Sequence, residues 1–261
     1  MFVTIINDCQ DANAFGRQTA RAIDLFAGPV VPIGVHNEME AAGNIVDILD
    51  AAGKTDNVIL VNVAPRNGKA KKWLNGTPFG YFKVDKSLIV SSIDGYALSL
   101  VKKFGLTTEI QVMDIPTVLA AMVEQNHIEP ARQDYIINTQ FRSFEFLPRA
   151  AHWITEGFNV PTTSYAITEV ADVPHAVWFV DNFGNCKTTM LPEDVEFAPG
   201  KKLQTKFGEI TCYNRLKDLP DAETGIIIGS SGYKEKRFLE FVIQGQSAAN
   251  KYGLKPGDPL L

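Results

Sequence analysis

The chain has 261 residues, of which 45% are hydrophobic and 21% charged, with a formal net charge of −5 at pH 7. This composition is typical of a globular protein and excludes disordered, collagenous and solenoid-like chains. The acidic balance gives no reason to expect nucleic-acid binding, and no apolar run reaches the roughly 18–20 residues that span a bilayer. The start of the chain also lacks a basic region followed by an apolar one, so we expect a soluble, cytoplasmic protein without a membrane partner.

The first half of the chain alternates short apolar runs with stretches of helical periodicity. Residues 2–6 predict a buried strand and residues 11–26 a helix, and the pattern recurs at 30–35 and 38–52. Further strands are predicted at 58–63, 81–84, 88–90 and 109–113, and further helices at 95–104, 116–125 and 144–157. This alternation predicts an α/β domain with a largely parallel sheet covered by helices.

After about residue 160 the sequence pattern changes from alternating strands and helices to short β-like runs. A proline-containing connection is followed by short β-like runs at 177–180, 187–190, 201–207, 209–213, 225–229 and 238–243. Five or six short strands suggest a small barrel or sandwich. We therefore predict an α/β domain over residues 1–165, a linker over 166–174 and an all-β barrel domain over 175–261.

Several common site motifs are absent from the sequence. There is no GxGxxG after a strand, GxxxxGK[ST], HExxH or GxSxG, so dinucleotide, P-loop, zincin and α/β-hydrolase interpretations have no support. The four histidines are far apart, and the three cysteines lack CxxC spacing. We therefore expect reduced thiols, no metal site and no bound cofactor.

Asp8 directly follows the first predicted strand. Ligands of open α/β sheets bind outside the carboxyl ends of the strands, where a carboxylate can accept two hydrogen bonds from a ribose diol. Asp8 could instead be the N-cap of the following helix. Asp11 could do that capping, which would leave Asp8 for a ligand.

The third predicted strand leads into a turn-rich segment, 62–68, at the edge of the sheet where Asp8 is expected. Asn67 stands there beside a glycine, in a loop that can approach a ligand closely. The basic run of Lys69, Lys71 and Lys72 follows. Such a run is more often a solvated surface than an anion site.

Two turns in the second half carry polar side chains. Residues 181–185 combine a carboxylate, Asp181, an aromatic ring, Phe183, and a carboxamide, Asn185. Such a set can bind the ammonium and carboxylate of an amino acid and stack on a flat base, although it could also be a simple hairpin turn. The second turn supplies the hydroxyls of Ser230 and Ser231.

Taken in chain order, these segments resemble the family of S-adenosyl-methionine (SAM) hydroxide adenosyltransferases and the related SAM-dependent chlorinases and fluorinases. IIND at 5–8, VHNE at 35–38 and IDG at 93–95 are similar to the family's opening LTDFG segment, second-strand exit and PDNG turn. FLPRAAH at 146–152 resembles FAPxAAH, and VDNFGN at 180–185 resembles IDxFGN. The tail resembles the family's closing SxGYLEIA, GSAA and GLKxGD segments at 231–241, 247–249 and 253–258.

The resemblance implies an N-terminal α/β domain and a C-terminal β-barrel, assembled as a homotrimer with SAM bound between neighbouring subunits. It implies a nucleophile that attacks the ribose C5′ carbon in line while methionine leaves. The implied SAM-binding roles are the ribose diol for Asp8, the methionine ammonium and carboxylate for Asp181, Asn185 and Ser230, and the adenine for Phe183 and Gln244.

The chain departs from the family where the nucleophile is expected. The family's DPGVG loop begins here with Ala64 in place of Asp, and its FHGRD segment has Phe141 in place of His. General-base help of typically 10²–10⁴-fold would be lost without those groups. The candidates for a catalytic side chain are then Arg142, Ser143 and Lys71, where a guanidinium could hold an anion or fill the pocket.

Two functions follow from the resemblance. The first is an enzyme that cleaves SAM at C5′, with water giving adenosine and methionine, or with another nucleophile. The second is a catalytically silent protein that binds SAM or adenosine, because Ala64 and Phe141 occupy the positions of polar groups. A trimeric scaffold that has lost the ligand is a third, less favoured interpretation.

Overall fold

A computed structural model describes residues 1–65 and 76–261 and divides the chain into two units. The first unit comprises Met1–Ala41 and Ala52–Ala171. The second comprises Ala42–Ala51 and Asp172–Leu261, so it takes most of the second helix.

The first unit is built on a seven-stranded sheet in the order β2-β1-β3-β5-β4-β6-β7. Its strands are β1 (Phe2–Asn7), β2 (Val30–Gly34), β3 (Asn57–Asn62), β4 (Phe79–Val84), β5 (Ser87–Ser92), β6 (Glu109–Met113) and β7 (Thr163–Ala166). Its helices are α1 (Ala12–Phe26), the start of α2 (Glu38–Ala52), α3 (Ser99–Phe104), α4 (Ile115–Glu124), α5 (Pro130–Asn138), α6 (Arg142–Glu145) and α7 (Leu147–Thr155).

The sheet is mixed, which corrects the prediction of a largely parallel sheet. The pairs β1–β2, β1–β3 and β3–β5 are parallel, whereas β4–β5, β4–β6 and β6–β7 are antiparallel. The physical reason is the connection between β4 and β5, which contains only Asp85 and Lys86. Parallel neighbours need a crossover of a dozen or more residues, so such a short turn forces an antiparallel hairpin.

Side-chain caps define where the first two helices begin. Asp11 accepts hydrogen bonds from the backbone N–H groups of Asn13 and Ala14, both at 3.0 Å, at the start of α1. Asn37 does the same for α2, accepting from Met39 and Glu40. Each cap satisfies backbone donors that the first helical turn leaves without partners. Asp11, rather than Asp8, is therefore the N-cap of α1.

The core of the first unit lies between the sheet and the helices α1, α4, α5 and α7. Its fully buried members include Val3, Val58, Val90, Val118, Leu119, Met122, Phe146 and Ala150. Alternate residues of the central strands β1, β3 and β5, which are buried on both faces, and the apolar faces of these helices produce this core.

The second unit contains a six-stranded sheet in the order β10-β11-β12-β13-β9-β8. Its strands are β8 (Val177–Val180), β9 (Cys186–Thr188), β10 (Lys202–Thr205), β11 (Gly208–Tyr213), β12 (Thr224–Tyr233) and β13 (Lys236–Ile243), and the helix α8 (Ala248–Tyr252) follows them. Within the described residues, no strand pairing joins β10 to β8 at the two ends of this sheet, and the barrel stays a prediction.

The structure contains elements that were not predicted from the sequence. They are α5, α8 and β7, and β7 lies in the stretch that was predicted to be a connection. Residues 95–98 precede α3 rather than belonging to it. Among the residues described, no helix has the length and apolar character needed to cross a membrane.

Candidate functional site

Polar side chains meet at the carboxyl ends of β1 and β3 in the first unit. Buried Asn7 donates to Gln18 Oε1 and accepts hydrogen bonds from Cys9 N at 2.8 Å and Asn62 Nδ2 at 3.3 Å. Asp8 follows, half-buried, and its N–H donates to the carbonyl of Asn62 at 3.3 Å. The parallel register of β1 and β3 therefore places Asp8 at the strand-end edge, as the sequence predicts.

The loop after β5 reaches the same edge. Asp94 Oδ1 accepts a hydrogen bond from Gly95 N at 2.9 Å, and Gly95 has a φ of +65°. A Cβ added at Gly95 would lie 2.6 Å from Pro65 Cγ and 3.2 Å from Glu38 Oε1. Gly95 is thus required both by its backbone conformation and by the close approach of the loops around it.

The predicted catalytic candidates have different surroundings. Arg142 Nη1 donates to the carbonyl of Thr77 at 3.0 Å, and its guanidinium lies 5.9 Å from the centre of the Phe79 ring. Burial lowers the pKa of Arg142 below its ordinary value. Ser143 is buried. The third candidate, Lys71, and the predicted ligand residue Asn67 lie outside the described residues.

Phe141, which stands where the family has a histidine, belongs to a small aromatic and cationic group. Its ring stacks on Phe144 with the ring centres 5.5 Å apart, and the guanidinium carbon of Arg17 lies 4.8 Å from the Phe141 ring centre. A phenyl ring cannot accept a proton from water. Phe141 therefore cannot act as a general base.

In the second unit, residues 181–185 form a tight turn between β8 and β9. Asp181 Oδ1 accepts from the N–H groups of Phe183 and Asn185, both at 2.9 Å, and Oδ2 accepts from Asn185 Nδ2 at 3.0 Å. Gly184, with a φ of +84°, packs so closely on Ser247 that an added Cβ would lie 1.9 Å from the serine Oγ. The turn is rigid and keeps one oxygen, Oδ2, with capacity for a further donor.

The Phe183 ring projects from this turn with 71% of the residue exposed. It borders a cavity of about 490 Å³, whose described lining is Phe183, Asn185, Leu216, Ile243, Gly245, Gln246 and Ser247. The cavity brings together two predicted ligand residues, Phe183 and Asn185. A third, Gln244, lies between two of the lining residues in sequence, and its N–H donates to the carbonyl of Glu223 at 3.1 Å.

The predicted serines take different positions. Ser230 is exposed, and its carbonyl accepts a hydrogen bond from Arg237 Nη1 at 3.2 Å. Ser231 is buried, donates to Asp47 Oδ2 at 2.8 Å and accepts a hydrogen bond from Lys187 Nζ. Ser231 is therefore occupied by protein groups, whereas the Ser230 side chain lies at the surface.

Half-buried Asp47 and Lys187 and buried Ser231 and Glu240 form what we call the buried polar cluster of the second unit. Asp47 Oδ1 also accepts from Gly232 N at 3.0 Å, and Lys187 Nζ lies 3.7 Å from Asp47 Oδ2. Burial raises the pKa of Asp47 and that of Glu240. Nearby Asp181 also raises the pKa of Glu240, whereas Lys187 lowers it. Asp47 and Glu240 thus share the ammonium of Lys187, so this pair favours additional positive charge.

Asp47, Lys187 and Glu240 were not predicted as site residues from the sequence. Asp47 and Lys187 stand in a regular helix and strand outside any motif, and Glu240 lies in the 231–241 segment without an assigned role, so no local signal marks their tertiary partners. Burial, with smaller effects of Asp181 and other carboxylates, raises the pKa of adjacent Cys186 to about 12, which keeps it a thiol at neutral pH. Among the described residues, no group of three His, Cys, Asp or Glu side chains could hold a metal ion.

Comparison with known proteins identifies the C-terminal part of the chain. Residues 175–261 match the family model of the SAM hydroxide adenosyltransferase C-terminal domain. This match confirms the resemblance predicted from the sequence over residues 175–261. No curated protein sequence matches the chain.

Two solved structures share the fold. An uncharacterized conserved protein from Thermotoga maritima has a TM-score of 0.67 and 15% identity, covering 99% of this chain and 100% of its own. A conserved hypothetical protein from Thermus thermophilus has a TM-score of 0.61 and 18% identity, covering 99% of each chain. At these identities the similarity shows the fold alone.

Proposed function

Because residues 175–261 match a SAM hydroxide adenosyltransferase C-terminal domain, we propose that the protein binds SAM and cleaves it at the ribose C5′ carbon. The observation that carries this proposal is the turn at 181–185, which presents the exposed Phe183 ring and the Asn185 carboxamide at one cavity. An aromatic face can stack on the adenine of SAM, and polar groups beside it can bind the amino-acid end of SAM.

The proposed binding roles follow the chemistry of each side chain. Asp8 accepts hydrogen bonds from the ribose diol, and Asp181 Oδ2 with Asn185 binds the methionine ammonium and carboxylate. Phe183 stacks on adenine, with Gln244 at its edge, and Ser230 donates to the methionine carboxylate. Ser231 holds the Ser230 segment through its hydrogen bond to Asp47. Asn67 is a further ligand residue in this proposal.

The charge of the second unit supports a cationic ligand. SAM carries a sulfonium and an ammonium, and in the buried polar cluster two carboxylates, Asp47 and Glu240, interact with the single ammonium of Lys187. The raised pKa values of Asp47 and Glu240 mean that an added positive charge nearby would stabilise their ionised forms. A neutral or anionic ligand would gain no such stabilisation.

The proposed reaction is an in-line displacement. An oxygen of water attacks C5′, the C5′–S bond breaks, and its electron pair stays on sulfur to give neutral methionine, while water loses a proton to solvent and adenosine forms. Alignment and the exclusion of bulk water contribute most to such a step. A half-buried guanidinium such as Arg142, whose pKa burial lowers, could instead hold an anionic nucleophile such as chloride. Ser143 and Lys71 are the other catalytic candidates.

We further propose that the protein is a homotrimer in which each ligand is bound by two neighbouring subunits. Dilution to the monomer would then abolish SAM binding although each subunit stays folded. Light scattering combined with a binding titration tests this, and a monomer that binds SAM normally would contradict it.

Product analysis tests the reaction. Purified protein is incubated with SAM, with and without chloride, and the mixture is chromatographed for methionine, adenosine and 5′-chloro-5′-deoxyadenosine against a protein-free control. Methionine release above the control is the expected result. Complete absence of methionine release would refute the enzymatic proposal.

The second candidate function is a silent SAM- or adenosine-binding protein, favoured by Ala64 and Phe141 at the positions of polar groups. It predicts that SAM stabilises the protein against unfolding by about 3 kcal/mol at 100 times its Kd, without turnover. Thermal unfolding with SAM, adenosine or methionine tests this function. If none of the three ligands shifts the unfolding temperature, this function is excluded.

A further inference from the structure

A second cavity, of about 660 Å³, lies within the first unit. Its described lining is Leu25, His127, Ile128, Glu129, Arg132, Arg149, His152, Trp153 and Phe158. Leu25 belongs to the last turn of α1, which leads into β2, so the cavity lies toward the amino ends of the strands. Asp8 lies at the carboxyl ends, so this cavity is distinct from the strand-end edge. Its volume is in the usual range for small-molecule sites.

The cavity carries an excess of positive charge. Arg149 Nη1 lies 2.9 Å from Glu145 Oε2, and Arg21 lies 3.5 Å from the same oxygen, so one buried carboxylate is shared by two guanidiniums. Arg132 is exposed at the cavity, and no other described residue engages its guanidinium by a hydrogen bond or ion pair. Among the described lining residues, Glu129 is the single carboxylate.

The excess of positive charge affects the pKa of Arg149. Burial lowers its pKa, and the charges of Arg21 and Arg132 lower it further, whereas Glu145 acts in the opposite direction. An anion in the cavity would offset the repulsion among these guanidiniums. The histidines His127 and His152 add two more ring nitrogens that can donate hydrogen bonds.

The remaining wall is apolar and partly flat. The His127 and Phe158 rings stack with centres 3.7 Å apart and planes 9° from parallel, and Trp153, which is largely buried, also lines the cavity. Leu25 and Ile128 complete this surface. Such a wall suits the organic part of a ligand whose charged end meets the arginines.

We propose that this cavity binds a small organic phosphate monoester, with the phosphate at Arg132 and Arg149 and the organic part against the Phe158 wall. Arg132, Arg149 and the two imidazoles carry more N–H donors than the carboxylates of Glu129 and Glu145 can accept. A phosphate presents three strong acceptor oxygens. This site is independent of the proposed SAM chemistry.

Calorimetry of the full chain with phenyl phosphate tests the proposal, with inorganic phosphate, phenol and benzoate as comparison ligands. Phenyl phosphate is expected to bind more tightly than each of the three. Arg132→Ala should weaken binding about tenfold or more, because a charge-assisted hydrogen bond is lost. Arg132 is exposed and tolerates the change, and Arg215→Ala, an equal change of charge in the second unit, should leave binding unchanged.

Three results would overturn this assignment. They are no measurable binding of phenyl phosphate at millimolar concentration, equal binding of phenol or benzoate, and equal weakening by Arg132→Ala and Arg215→Ala. A saturating concentration of SAM should not displace phenyl phosphate, and displacement would also refute a separate site. The readout requires no turnover of SAM, so failure of the proposed enzymatic function would leave this test intact.

Discussion

The hydroxyl of Ser231 donates a hydrogen bond of 2.8 Å to the carboxylate of Asp47, across a sequence separation of 184 residues. The same carboxylate accepts from Gly232 N and lies 3.7 Å from Lys187 Nζ. One helix residue therefore satisfies donors from both β9 and β12. The geometry of β12 around Ser230, which was predicted to be a turn, depends on it.

Asp47→Ala should destabilise the protein by about 2–4 kcal/mol. The substitution leaves the Ser231 hydroxyl, the Gly232 N–H and the Lys187 ammonium without their shared acceptor, and buried groups without partners are costly. Urea unfolding followed by circular dichroism measures the change. Asp56→Ala, which removes an exposed carboxylate 4.0 Å from Lys86, should change stability by less than about 1 kcal/mol. Equal effects of the two substitutions would contradict the role assigned to Asp47.

Glu240→Gln should change the pH dependence of stability. Burial raises the pKa of Glu240, so the folded protein holds this proton more tightly than the unfolded chain. The free energy of unfolding therefore falls as pH rises from the unfolded pKa, near 4.5, through the higher folded pKa. Glutamine cannot ionise, so the stability of the variant relative to wild type should be greater at about pH 7 than at about pH 4. Urea unfolding at both pH values checks this, and a constant difference would exclude it.

Gly184→Ala should cost more stability than Gly253→Ala. Both glycines have positive φ, at +84° and +63°, so alanine is strained at either position. Only at Gly184 would the new Cβ also collide, at 1.9 Å from Ser247 Oγ and 2.9 Å from Ser247 Cα, whereas nothing lies within 4 Å at Gly253. We expect an extra loss of about 1–3 kcal/mol at Gly184, measured by urea unfolding. Equal losses would show that the turn is not packed on Ser247.

Phe183→Ala should weaken adenosine binding without lowering stability. The ring is largely exposed, so its removal takes little apolar surface from the core. Stacking on a base contributes about 1–3 kcal/mol, which corresponds to a loss of about 5- to 150-fold in affinity. Calorimetry with adenosine measures it. Ile23→Ala, at another exposed apolar residue, serves as the control, and an unchanged affinity in Phe183→Ala would remove Phe183 from the adenine site.

Asp8 and Asp181 should affect different parts of the ligand. Asp8→Ala should weaken SAM and adenosine alike, by about 10- to 100-fold, because both carry the ribose diol. Asp181→Asn should weaken SAM but leave adenosine nearly unchanged, since adenosine lacks the amino-acid portion. Asparagine keeps an oxygen for the N–H groups of Phe183 and Asn185, which alanine would not. Calorimetry that finds equal losses for both ligands in Asp181→Asn would contradict the assignment.

Much of the first unit could be predicted because its elements have strong local signals. Helix α2 has the predicted bounds of 38–52, since Asn37 and Gly53 mark its ends. The prediction of a largely parallel sheet missed the antiparallel direction of β4, because the short connection to β5 was not weighed against the crossover that parallel strands need. Strand β12 extends past its predicted end because a bulge between Ile228 and Gly232 lets the pairing with β13 continue.

Part of the candidate site could also be predicted from the sequence, and part could not. Local chemistry named Asp8 and Asp11 as the alternatives for the helix cap without deciding between them, and the structure has Asp11 in that role. Residues 181–185 could be anticipated as a turn, and the hydrogen bonds of Asp181 lie within that turn. The buried polar cluster could not, because Asp47 acquires its partners only when a helix packs against strands far along the chain. The residues next to Asp47 in the sequence do not indicate such partners.

Residues 42–51 belong to the second unit although the rest of that unit begins at Asp172. Gly43 lies so close to Trp178 that an added Cβ would be 2.2 Å from the indole ring, so this helical segment and β8 depend on each other. During synthesis the segment leaves the ribosome first, and all of residues 52–171 must be made before its partners emerge. The second unit therefore cannot complete its fold co-translationally until the chain is nearly finished, and residues 172–261 expressed alone would expose the surface that this helix covers.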